Sequence, residues 1–323
     1  RDLHSFPTRR SSDLVLNAIK NFEELKNHLK NAGRRKRLAL ANALDSHSLE
    51  AVMMSVEEGF IDAYLVGKKE EVARLLEQEF GEKVKKYGDY LHIVDCRGDA
   101  AEATTQATLM VRRGECDMLM KGLVNTDVIL RAVLNKENGI HTPGNVLAFN
   151  SCFDIPMYHK LVFMTDPAII PEPTKEQRVA MIKYSIETAR KFGVAKPKIA
   201  LIHATEIANP KIRFMEDYLD IMEMYRNGEF GDVVMDGPID IFLAIDKERG
   251  AIKRVDTPVL GDADILIFPD FQSANVFYKT AQTFGNASMA GLVYGADSPV
   301  VITSRSDSTD TKFYSICMAC VLA

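Results

Sequence analysis

Short apolar runs alternating with helix-length stretches that end in glycine constrain this chain more than any other feature. Residues 38–41, 63–67, 91–94 and 118–120 each read as a buried strand. Helical stretches at 48–58, 69–80 and 100–113 lie between them, the first closed by Gly59 and the last by Gly114. A strand, a helix and a further strand in that order predict parallel pairing through a right-handed crossover. The composition shifts near 146, where 149–156 and 161–167 are strand-like and Pro171 and Pro173 break the chain before Thr174 opens a helix to 192. Alternation then resumes: strand 198–203, a helix around 212–226, the 235–238 segment, strand 265–269, a helical stretch from 270, strand 299–302 and a buried helix at 313–322. The fold class is α/β, with a domain boundary near 146.

At 323 residues the chain can build two ordinary cores. Its net charge of -5 argues against general nucleic-acid binding, so a polyanionic ligand needs a local cluster of Lys and Arg. The basic run at 34–37 reads as a solvated turn before a strand. No apolar stretch approaches the roughly 20 residues of a membrane span and none resembles a signal peptide, which predicts a cytoplasmic protein. Residues 1–14, RDLHSFPTRRSSDL, carry no periodicity and read as a non-native, adapter-like leader. Cys96, Cys116, Cys152, Cys317 and Cys320 are too scattered for a disulfide framework, and Cys317 and Cys320 sit in an apolar helical run with no second pair for zinc. Buried thiols and no metal site are expected. No glycine-rich phosphate loop follows any strand, which demotes NAD- and ATP-driven chemistry.

Two strand-to-helix junctions are friendly to anions. After the last strand, residues 303–311 offer hydroxyls, the Arg305 guanidinium, and the carboxylates of Asp307 and Asp310, with Ser308 or Asp310 placed to cap the final helix. After the strand at 118–120, Lys121, Gly122 and Thr126 precede a helix carrying Asp127, Arg131 and Lys136. The alternative readings are an N-cap turn with Arg305 solvated for the first and a surface helix with solvated Arg131 for the second.

The chain resembles the phosphate acetyl/butyryltransferase family from about residue 15 to its end. The resemblance rests on ordered blocks: Lys121-Gly122 with Thr126 and Arg131; Asp166-Pro-Ala then Pro171-x-Pro-Thr174; Asp236-Gly237-Pro238; Phe268-Pro-Asp270 with Asn275 and Tyr278-Lys279; and Ser304-Arg305. The Ser-Arg-Ser-Asp-Ser form is closer to the butyryl branch. The resemblance implies two α/β domains of the isocitrate/isopropylmalate dehydrogenase-like type flanking a cleft, here 15–145 plus 290–323 and 146–289. It also implies a homodimer and reversible acyl transfer between CoA and phosphate. Coenzyme A is then a substrate, and no bound cofactor or metal is implied. Lys121, Gly122, Thr126, Arg131, Asp166, Asp236, Gly237, Pro238, Asn275, Tyr278 and Lys279 would bind substrate, with Ser304, Arg305, Asp307 and Asp310 at the reacting centre.

In the acetyl branch an aspartate beyond the Ser-Arg pair takes the thiol proton, and by ungapped spacing it falls here at Thr311. The base is then Asp307, Asp310 or a group from elsewhere; Asp307 as base and Asp310 as helix cap is the assignment carried forward. Phe242 and Ala274 also depart from the family pattern, where aspartate and glycine are usual. Acetyl specificity in the same reaction, or a noncatalytic acyl-CoA or phosphate-binding protein, are the competing expectations.

Overall fold

The computed structural model describes residues 17–304 and 307–323. The leader at 1–14 and Arg305 lie outside the described residues. In chain order come α1 (Phe22–Ala32), β1 (Lys36–Ala41), α2 (Ser46–Glu57), β2 (Ile61–Gly67), α3 (Lys69–Tyr87), β3 (Leu91–Asp95), α4 (Ala100–Arg112), β4 (Met118–Lys121) and α5 (Thr126–Val133). They are followed by β5 (Ala148–Asp154), β6 (Val162–Thr165), α6 (Lys175–Lys191), β7 (Lys198–Ile202), α7 (Met215–Arg226), β8 (Val234–Ile239), α8 (Ile241–Ile245) and α9 (Lys247–Lys253). The chain closes with β9 (Ile265–Ile267), α10 (Phe271–Gly285), β10 (Ser288–Tyr294), β11 (Val300–Val301) and α11 (Thr309–Leu322).

All these strands join one sheet in the order β3-β2-β1-β4-β11-β10-β5-β6-β9-β7-β8. Side chains of successive strand residues point to opposite faces, so each buried strand feeds two cores. Leu38 and Leu40 of β1, Ile199 and Leu201 of β7, and Ile265 and Ile267 of β9 pack on one face with α1, α2, α6, α7 and α11. Ala39, Ala41, Ala200 and Leu266 pack on the other with α4, α5, α8 and α10. The result is a sheet between two helical layers.

The α/β class and the parallel crossovers hold for β1 to β4 and for β6, β7, β8 and β9. The centre of the sheet pairs differently. β10, which the sequence pattern did not announce, runs antiparallel to both β11 and β5, and β5 runs antiparallel to β6. Ser288–Tyr294 carries glycine mid-strand and follows its helix almost directly, so nothing local marks it as a strand.

Local signals account for several boundaries. Thr174 caps α6 through a complete capping box with Gln177. The predicted end of a helix at Phe80 coincides with a break in α3, where Phe80 has φ -135 and ψ 20 before the helix continues. Lys136, expected on the helix after Thr126, lies beyond the end of α5. All five cysteines are buried and free, and burial pushes the Cys320 thiol up to about 12.

Candidate active site

β4 and β11 lie side by side and parallel, Val300 opposite Leu119 and Val301 opposite Met120, so the two anion-friendly junctions leave the sheet as neighbours. Gly122 has to be glycine: a Cβ there would lie 2.5 Å from the carbonyl oxygens of both Ala41 and Asn42. This close approach tucks the chain against β1 before α5 begins. Lys121 is buried, its Nζ 3.3 Å from the Val124 carbonyl.

A cavity of about 310 Å³ lies over β10 and β5 on the α10 side of the sheet. Its polar wall brings together six residues singled out in the sequence: Thr126, Asn275, Tyr278, Lys279, Ser304 and Asp307. Its apolar wall is Phe149, Ile169, Phe271, Met289 and Ile302. Gly291 makes room for one of these, since a Cβ at that position would sit 2.5 Å from the Phe149 ring.

Asp307 organises the polar side. One carboxylate oxygen accepts the Tyr278 hydroxyl proton at 2.8 Å and the other accepts the Ser304 backbone N–H at 2.6 Å. A carboxylate offers about four lone-pair positions, and the bonds from described residues use two of them. Burial, followed by the neighbouring Asp307 charge, raises the Tyr278 pKa and keeps it a neutral donor. Asn275 donates to the Pro167 carbonyl at 2.9 Å and ties α10 to the loop after β6.

Asp310 is not the helix cap. Ser308 fills that position, its hydroxyl accepting the Thr311 N–H, while Asp310 is exposed in the first turn. The spacing is decisive: a side chain caps by accepting from the residue two or three positions on, and the helix begins at Thr309.

Other predicted substrate ligands are placed elsewhere. Arg131 is exposed, pairs with Asp127 one turn earlier on α5, and is not among the residues lining the cavity. Asp166 is 2% exposed, and its oxygens accept the backbone N–H groups of Phe149, Ala168, Ile169 and Ile170. Burial raises its pKa, against the lowering effect of those hydrogen bonds. It shapes the loop that supplies Pro167, Ala168 and Ile169 to the cavity without lining the cavity itself. Asp236, Gly237 and Pro238 lie on β8, at the sheet edge, and do not line it either. An edge strand is where a proline is tolerated.

One neighbour of these residues was not singled out in the sequence. Lys312, on the first turn of α11, is 2% exposed and donates to the Ser304 carbonyl at 2.9 Å and to Thr303 Oγ1 at 3.4 Å. A lysine directly before the apolar run 313–322 was the available signal.

The geometry defines an α/β protein whose cavity joins an apolar wall to a carboxylate, hydroxyls and a lysine. Comparison with known proteins gives the family. The phosphate acetyl/butaryl transferase family model matches residues 78–320. A phosphate butyryltransferase of Clostridium beijerinckii is 37% identical over 305 residues, covering 94% of this chain and 98% of the relative. A phosphate acetyltransferase of Thermotoga maritima is 35% identical over 291 residues, covering 90% and 96%. Among solved structures, a branched-chain phosphotransacylase from Enterococcus faecalis V583 superposes with a TM-score of 0.76 at 27% identity, covering 88% and 97%. The chain belongs to the phosphate acetyl/butaryl transferase family.

Proposed function

We propose that this protein moves a short acyl group, butyryl by preference, reversibly between coenzyme A and inorganic phosphate. In the acyl-CoA-forming direction Asp307 takes the CoA thiol proton. The thiolate attacks the acyl carbonyl carbon, the C–S bond forms, and the C–O bond to phosphate breaks with its electron pair leaving on phosphate. The lone-pair positions left on Asp307 suit it to the proton transfer. Ser304 and Arg305 would hold the phosphate and the developing oxyanion, the guanidinium through two parallel hydrogen bonds. Arg131 would join them only after leaving Asp127. In this reading Lys121 and the amino end of α5 add positive potential, and the two halves, 15–145 plus 290–323 and 146–289, flank the cavity as lobes.

The observation that carries the acyl preference is the apolar wall of Phe149, Ile169, Met289 and Ile302 beside Ser304 and Asp307. Two further methylenes against such a wall are worth about 1.6 kcal/mol at ~0.8 kcal/mol each, roughly a tenfold preference over acetyl. Thiol release from acetyl-, propionyl-, butyryl- and isobutyryl-CoA, each with and without phosphate, tests both statements. Butyryl-CoA should give the highest kcat/KM, and no thiol should appear without phosphate. Phosphate-independent release, or none at all, would refute the transferase reading. A best kcat/KM for acetyl-CoA would leave the reaction and reverse the preference, an outcome to which the Thermotoga relative gives weight.

A homodimer belongs to the same reading. The outer face of α10 exposes Val276 and Phe284 along an apolar groove that a second copy could cover. Sedimentation at several concentrations would test it.

A further inference from the structure

The ammonium group of Lys312 has no role in the chemistry above, and its position is costly. It lies in the first turn of α11, where the helix dipole is positive and a cation is unfavourable. It is also 2% exposed, and burial lowers its pKa, an effect that Asp45 and Asp307 oppose. Most of the residues around it on α11 are buried, among them Phe313, Ile316 and Met318, so an apolar side chain would suit the packing. What the lysine provides is reach. Helical side chains lean back toward the amino terminus, and a long one at this position can meet the chain that precedes the helix. Lys312 does so at two consecutive residues, bonding the Ser304 carbonyl and the Thr303 hydroxyl from inside the protein.

The Ser304 peptide is thereby held from both ends. Its N–H is bonded to Asp307, which is tied in turn to Tyr278 on α10. Its C=O is bonded to Lys312. Both bonds are to charged groups, the stronger kind in a partly buried setting. With the backbone fixed, the Ser304 Cβ is held at the cavity wall, and the exposed hydroxyl it carries is confined to the staggered positions about that Cβ.

We infer that Lys312 is a positioning residue for the transfer reaction: through its hydrogen bonds to Ser304 and Thr303 it fixes the Ser304 hydroxyl and Asp307 relative to the bound acyl group. The inference rests on the reacting centre proposed above. Lys312 does not line the cavity and is not a catalytic residue.

The test is steady-state kinetics on the full chain with butyryl-CoA and phosphate, paired with thermal melts, for Lys312→Met, Lys312→Gln and Ser304→Ala. Methionine keeps an apolar stem of similar volume and removes the donor. Glutamine keeps a donor but is shorter by one bond. Small misplacements of reacting groups cost up to about 10²-fold in rate. Lys312→Met should therefore lose on the order of 10²-fold in kcat with KM for acyl-CoA unchanged, and Lys312→Gln should fall between it and the wild type. Neither loss should follow the fraction unfolded. Wild-type kcat in either folded variant overturns the inference, as does a loss proportional to unfolding; if methionine prevents folding, glutamine alone decides. Ser304→Ala separates the two levels of reasoning. An active Ser304→Ala removes the proposed centre and this inference with it, whereas an inactive Ser304→Ala beside a fully active Lys312→Met removes the inference alone.

Discussion

Asp307→Asn separates chemistry from architecture at this site. The carboxylate accepts two hydrogen bonds, from the Tyr278 hydroxyl and the Ser304 N–H. Asparagine can keep both: its amide oxygen accepts from Ser304, while its NH₂ donates to the Tyr278 oxygen once that hydroxyl rotates. What disappears is the charge. Two charge-assisted bonds become neutral ones, a difference of about 1 kcal/mol each by their usual ranges, reduced further because the turn is partly exposed. For a chain of this size roughly 1 kcal/mol shifts the midpoint by about 2 °C. The kinetic consequence is far larger, because an amide cannot take the thiol proton, and losing a general base costs about 10²–10⁴-fold. The expected variant melts within a few degrees of wild type yet loses at least about a hundredfold in kcat for butyryl-CoA formation from butyryl phosphate and CoA. Full turnover with a lowered melting temperature would refute the base assignment and leave Asp307 as a clamp on the turn.

Three further outcomes follow from the structure. Ser308→Ala should cost about 1 kcal/mol by removing the α11 cap, whereas Asp310→Asn should cost about 0.3–1 kcal/mol through the helix dipole and leave kcat unchanged; melts and assays of both variants check the corrected roles. Gly291→Ala forces the Phe149 ring aside, at a cost of about 1–3 kcal/mol, and should lower the ratio of butyryl to acetyl kcat/KM; an unchanged ratio would mean Phe149 does not shape the acyl site. Asp262 accepts from Lys160, Lys198 and His159, and although its partial burial works in the opposite direction, those bonds hold its carboxyl well below the usual range. A depressed carboxylate pKa contributes stability above its unfolded value of 3.8 and loses it as pH falls further, so wild type and Asp262→Asn should differ in melting temperature at neutral pH and converge in acid.

Local sequence was sufficient for much of the frame. Apolar runs of strand length, glycines after helices and the Thr174 capping box are short-range signals, and α2, β2, α4, β4 and α6 lie where those signals put them within a few residues. The ordered motifs also marked Ser304, Asp307, Asn275, Tyr278 and Lys279, all of which meet at one cavity. Pairing partners decided the rest. Ser288–Tyr294 becomes a central antiparallel strand only because β11 and β5 flank it, and no residue within it encodes those neighbours. Asp166 reads the same in sequence whether it meets substrate or backbone, and the fold surrounds it with four N–H donors. The Asp310 and Lys312 roles turned on a single helix start: beginning α11 at Thr309 gives the cap to Ser308 and aims the Lys312 side chain back under Ser304. Sequence fixes which groups are available over a few residues, but which polar group ends buried, and against what, depends on elements brought together from far along the chain. That is why a lysine that would ordinarily be assigned to the surface lies beneath the turn that carries Ser304.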